Sequence, residues 1–211
     1  MKKLMMTLMA LCLTLTAVQA QQLTKAQEKA IKKEVKQKMK DYQKAGYQMM
    51  GSRTMEVALT KHYTALEEGG DGVVEFVGFS KAKSMNVAAA AAQNSAANSY
   101  ASRASLQVKG RVLADMASDV ANMATEFDMF YAVYEGKVQQ EIRGALKPSF
   151  SVKHLNEDGT TSVEAYYIVD ERAANIARLR ALENSLKESE VMTKYAKNLS
   201  NFVNEKVTPE E

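Results

Sequence analysis

Between Val87 and Ser105 the chain places nine alanines in nineteen residues, with no glycine or proline among them. No other segment restricts the fold as strongly. Alanine loses no side-chain entropy in a helix, so the run predicts one, capped by Ser84 or Asn86. Ala89, Ala92, Ala96 and Tyr100 leave a flat stripe along it. Such a surface allows close approach of a helix to a sheet. The segment leading in, Val73 to Ser80, is rich in β-branched and aromatic residues and predicts a strand.

Periodicity organises the rest. Ile31, Val35, Met39 and Tyr42 recur at three- and four-residue steps within Thr24 to Ala45, which predicts an amphipathic helix capped by Thr24. After a break bracketed by Gly46 and Gly51, a second helix fits Thr54 to Glu67, with Met55, Leu59, His62 or Tyr63, and Leu66 on one side. Gly69-Gly70-Asp71-Gly72 ends it. Leu106 to Met116 fits neither period cleanly. Phe127, Phe130, Tyr134, Val138 and Ile142 predict a helix over Ala124 to Arg143. Ala145 to Leu155 and Thr160 to Val169 alternate as strands about the turn Asn156-Glu157-Asp158-Gly159. From Glu171 onward the chain is helical, with Asp170 as cap. Its stripes Leu179, Leu182, Leu186 and Met192, Tyr195, Leu199, Phe202 are out of phase, which predicts a break near Ser189.

The N-terminus has the pattern of a cleavable export signal. Lys2 and Lys3 precede an uncharged run from Leu4 to Val18, and Val18-Gln19-Ala20 suits a peptidase cut before Gln21. Leu11, rather than a small residue, precedes the only cysteine, Cys12, and the apolar run continues beyond it, so Cys12 reads as one more small hydrophobe and not as a lipidation site. The mature chain would then lack cysteine, excluding thiol catalysis and thiolate metal ligation. Cleavage would lower the net charge from +3 to +1, so no whole-protein field would attract nucleic acid. The charge is uneven nonetheless. Lys25 to Lys44 holds eight lysines against three acids, and Glu183 to Glu211 six acids against four lysines.

The residues Val74-Glu75-Phe76-Val77-Gly78-Phe79 leading into Ala88 to Ala104, then Ile142-Arg143-Gly144-Ala145-Leu146 and Asp158-Gly159, resemble a group of bacterial envelope proteins. The group comprises small surface lipoproteins of about twenty kilodaltons and the N-terminal domain of the flagellar assembly protein FlgT. The resemblance spans residues 72–170 and lacks the lipidated cysteine usual in that group. It implies an envelope protein with a small α+β domain and no catalytic residues to carry over. It also implies a strand over Leu106 to Met116.

Motifs for chemistry are sparse. Gly78-Phe79-Ser80-Lys81-Ala82 follows the order of a nucleophile elbow, but Ala82 stands where that motif needs glycine, and only His62 and His154 are available as bases. Ser80 to Lys83 spells Ser-x-x-Lys without the Ser-Asp-Asn and Lys-Thr-Gly partners of penicillin-recognising enzymes. The two histidines lie outside any paired metal motif, Asp158-Gly159 is explained by the hairpin, and no phosphate-binding glycine loop occurs.

These readings define an α+β protein: a small, mostly antiparallel sheet packed on the alanine-rich helix and a second helix, with helical extensions at both ends. The expected divisions are a signal segment over 1–20, an N-terminal helical segment over 21–70, a core domain over 71–170 and a helical extension over 171–211. The expected role is non-catalytic binding or assembly in the periplasm or at the outer membrane, with no cofactor or metal. A periplasmic hydrolase of envelope material with scattered carboxylates is the alternative. Membrane-surface association through Lys25, Lys29, Lys32, Lys33 and Lys36 is a further one. The acidic C-terminal helix is an internal candidate partner for that basic helix. Met192, Tyr195, Leu199 and Phe202 are spaced to serve either internal packing or a homo-oligomer.

Overall fold

The computed structural model describes residues 23–207, so the signal segment and its cleavage site lie outside the described residues. The elements run α1 (Lys25–Lys44), β1 (Gln48–Met49), α2 (Met55–Gly69), β2 (Val73–Ala82), α3 (Met85–Asp115), α4 (Ala117–Asn122), α5 (Ala124–Ile142), β3 (Leu146–Leu155), β4 (Thr161–Asp170), α6 (Glu171–Lys187) and α7 (Ala196–Val203). The four strands form one antiparallel sheet in the order β1-β3-β4-β2. The fold is α+β. Among the described residues no helix is long and apolar enough to cross a membrane.

Local chemistry accounts for several element ends. Thr24 forms a capping box with Gln27, its backbone N–H donating to Gln27 Oε1 at 2.8 Å while its hydroxyl accepts from Gln27 N–H. The Asp170 carboxylate accepts from the Ala173 N–H at 3.0 Å and starts α6. Ser84 occupies the N-cap position of α3 without a side-chain cap bond. The break expected near Ser189 separates α6 from a 3-10 turn at Met192–Tyr195 and α7.

Helix α3 corrects the expected strand over Leu106 to Met116. Ala101, Ala104, Val108 and Val112 are all buried, continuing the alanine stripe at helical steps through the segment. Leu106 and Leu113, which disturb the period, are 62% and 48% exposed on the outer side of the same helix. Its close seat on the sheet depends on Gly78, where a Cβ would lie 1.8 Å from the Ala92 carbonyl oxygen. Only glycine admits that contact.

Each face of the sheet buries its own core. On one side Val74, Phe76, Val163, Ala165, Tyr167 and Val169 meet α3, α5, α6 and α7. On the other, Phe150, Val152 and Tyr166 meet Ile31, Val35, Tyr42, Ala58 and Leu59 from α1 and α2. Strand β3 serves both because the register slips between Pro148 and Phe150. Leu146 and Phe150 would share a face in a regular strand of period two, and the extra residue, Ser149, puts them on opposite faces.

The terminal helices therefore cover opposite faces of the sheet. Basic α1 packs on α2, away from the acidic C-terminal helices, so the internal pairing expected from their charges does not form. Met192, Leu199 and Phe202 are buried and Tyr195 is packed against them in the main core. Met192, Leu199 and Phe202 are thus spent on internal packing, and Tyr195 is partly buried against the same core.

Candidate functional site

The junction between α2 and the sheet gathers the most chemically capable side chains. His62 follows Leu59 by three residues on the buried stripe of α2, which presses its ring onto the sheet. The ring spans β4. Its Nδ1 lies 2.9 Å from Ser149 Oγ on β3, and its Nε2 is hydrogen-bonded to Glu75 on β2. A carboxylate only accepts, so the neutral ring carries its proton on Nε2 and accepts the Ser149 hydroxyl proton on Nδ1.

That order, serine to histidine to carboxylate, is the connectivity by which hydrolases activate a nucleophile. The surroundings differ from such a site. His62 is 1% exposed, with its ring edge-on to Phe150 at 5.1 Å, Tyr63 at 5.3 Å and Tyr166 at 5.8 Å. Glu75 keeps a third of its side chain in solvent. Pro148, immediately before the serine, has no N–H to offer an oxyanion. The arrangement polarises the Ser149 hydroxyl and at the same time ties α2 to both strands that flank β4.

A second polar chain lies on the same face. The Tyr42 hydroxyl donates to that of Tyr166 at 2.6 Å, which donates to Glu164 at 3.2 Å. The Lys38 ammonium stands 5.1 Å and 5.7 Å from the centres of the two rings. Burial first, then the neighbouring tyrosine, raises the Tyr42 phenol well above its usual range. Burial, with Glu164 adding to it, pushes Tyr47 up to about 12.

On the opposite face Arg178 is 1% exposed. Its Nε donates to the Val203 carbonyl at 2.9 Å, and Nη2 donates to Glu171 at 2.6 Å and to the Glu205 carbonyl at 3.1 Å. Nη1 donates to the Tyr100 hydroxyl. One guanidinium thus joins α3, α6 and the end of α7. Each of its nitrogens is occupied.

The residues singled out in sequence do not converge. The Ser80 hydroxyl donates to the Ala88 carbonyl, which joins β2 to α3 and leaves the elbow-like motif without a base. His154 is engaged with the Gly46 carbonyl at 3.3 Å and the Tyr47 ring. Lys81 pairs with Asp158 at 2.7 Å across the hairpin tip, and together with Thr160 it holds that carboxyl below the usual range. Lys25, Lys29, Lys32, Lys33 and Lys36 are exposed along α1. Among the described residues no group of three histidine, cysteine or acidic side chains is placed to hold a metal ion.

Sequence reasoning missed Ser149 and Glu75 as partners of His62. Ser149 reaches the ring only because of the bulge, and Glu75 reads as an outward polar residue of a one-sided strand. A histidine on the apolar stripe of α2 was the one available signal. The chain matches no known protein family, no curated protein and no solved structure.

Proposed function

We propose that the protein is an exported component of the bacterial cell envelope that acts by binding or assembly, not by catalysis. The observation that carries this reading is how the chemically capable groups are spent. His62 ties α2 to the sheet, Ser80 ties β2 to α3, and Arg178 ties the C-terminal segment to the core. The export signal expected over 1–20 and the resemblance of residues 72–170 to envelope proteins give the reading its location. Cell fractionation followed by cross-linking and capture from envelope material tests it. The expected result is a periplasmic or outer-membrane location with a reproducible protein or envelope partner. A cytoplasmic location overturns it.

One observation favours a hydrolase instead: the hydrogen-bonded order Ser149, His62, Glu75. A fluorophosphonate probe separates the two readings. No labelling of Ser149 is expected, because the ring that would serve as base is enclosed by three aromatic side chains. Labelling lost on Ser149→Ala, together with ester or peptide turnover lost in parallel, would establish the enzyme.

The membrane-surface reading narrows to charge alone. Ile31, Val35 and Tyr42, the apolar stripe of α1, are buried against α2 and the sheet, so the helix has no free apolar face to insert. Salt-sensitive binding to anionic vesicles that vanishes when Lys25, Lys29, Lys32, Lys33 and Lys36 become glutamine would support it.

A further inference from the structure

The outer strand β2 has one paired side and one open side. Its register with β4 places Phe79 opposite Glu164, and the Phe79 N–H points away from β4, donating to Ser95 Oγ on α3 at 3.4 Å. Along an antiparallel strand the N–H and C=O of alternate residues share a side, so Glu75, Val77 and Lys81 present theirs outward with Phe79. Among the described residues no strand lies beside that edge. It is ten residues long, and Phe79 is 59% exposed on it. Long open edges of this kind are pairing templates.

The sequence along this edge is complementary to itself. An antiparallel pair with its two-fold axis through Gly78 sets Glu75 opposite Lys81 of the second copy and Val77 opposite Phe79 of the second copy. The same contacts repeat by symmetry. All four residues turn their main-chain groups outward, so each opposed pair can exchange main-chain hydrogen bonds once the Phe79 N–H exchanges its long 3.4 Å bond to Ser95 for the Val77 carbonyl of the second copy. Shifting the axis to Phe76 or Ser80 separates Glu75 from Lys81 and leaves no opposite-charge pair within the strand. The registered pairing covers two exposed Phe79 rings and sets two opposite-charge pairs, each of which favours an antiparallel strand pair. Glu75 is bonded to His62 through one oxygen and keeps a third of its side chain in solvent, while Lys81 now holds Asp158 with both side chains 54% exposed, and an exposed pair of that kind has little net worth to lose.

Helix α3 overhangs the edge, since Ala92 lies on Gly78 and Ser95 reaches Phe79. Ala91 and Ser99 stand four residues to either side of Ser95 and so share its side of α3. These small side chains let two helices approach closely above a joined sheet. We propose that two copies of this chain pair through β2 to form one continuous eight-stranded antiparallel sheet. This inference stands apart from the cellular role proposed above and requires no envelope partner.

Sedimentation equilibrium of the purified protein over a concentration series tests it, with amide hydrogen exchange on the same samples. A dimer is expected in which the Val77 and Phe79 amides gain protection as concentration rises. Phe79→Lys puts a charge on an exposed edge position, and Lys81→Glu turns both ion pairs into repulsions. Each should weaken the dimer about tenfold or more while circular dichroism stays unchanged. The proposal is overturned by a protein that remains monomeric to about 100 µM, a concentration at which weak dimers already form. It is equally overturned by a dimer that neither variant weakens, or by β2 amides protected only when an extended peptide is added.

Discussion

Tyr134 is fully buried on α5 in the main core, yet its hydroxyl has no hydrogen-bond partner among the described residues. A phenol placed there gives up its water without replacement, and removing an unsatisfied group recovers that cost. Tyr134→Phe is therefore expected to stabilise the protein by about 1 kcal/mol, read as a higher urea midpoint at unchanged slope. Arg178 is the opposite case, a buried polar group with every nitrogen engaged. Lysine keeps the charge but lacks the planar fork, so it cannot serve Val203, Glu171 and Tyr100 together. Arg178→Lys should cost about 3 kcal/mol, because partners of a buried charge are left unpaired. Hydrogen exchange should show α7 opening first, and an unchanged exchange pattern there would refute the latch.

Helix α3 and strand β2 meet at a contact without room for a methyl group. Gly78→Ala drives a Cβ against the Ala92 carbonyl, and since the obstacle is helix backbone, the whole helix must shift. A loss of about 3 kcal/mol is expected from such overpacking, measured by denaturant unfolding. Gly110→Ala on the same helix, where a Cβ meets nothing within 4 Å, should instead be neutral or mildly stabilising. At this scale much was legible beforehand, since hydrophobic period and capping chemistry act locally: Thr24, Asp170 and the glycines after α2 mark real boundaries. What escaped was set by tertiary context. Leu106 and Leu113 are exposed apolar residues that break the period and obscure a helix whose inner face is Ala104, Val108 and Val112. The strand β1 is two residues long, too short to leave a pattern, and exists through its pairing with Val152 and Lys153. The bulge at Ser149 reverses which side of β3 is apolar, and with it the candidate site was hidden.

The sheet buries tyrosines on both of its faces, and this gives the whole molecule a common response to alkali. All nine tyrosines have phenols raised above the ordinary value, with burial the largest cause for each. Tyr47 and Tyr63 on the α1–α2 side and Tyr100 on the α3 side are each pushed up to about 12. For Tyr100 the nearby Arg178 pulls the other way without overcoming burial. In the unfolded chain these phenols lose their protons near pH 10. Above that pH the native state holds protons that the unfolded state has released, so stability is fully present below pH 10 and falls as pH rises toward 12. Buried Tyr100 alone should contribute a slope of about 1.4 kcal/mol per pH unit across that window. Because the tyrosines belong to both cores, neither layer is spared. Phenolate absorbance and far-ultraviolet circular dichroism followed together should change in one step between pH 10 and 12, the hydroxyls ionising as the helices are lost. Phenolate forming near pH 10 with the helices intact would show that the rings are not held as described.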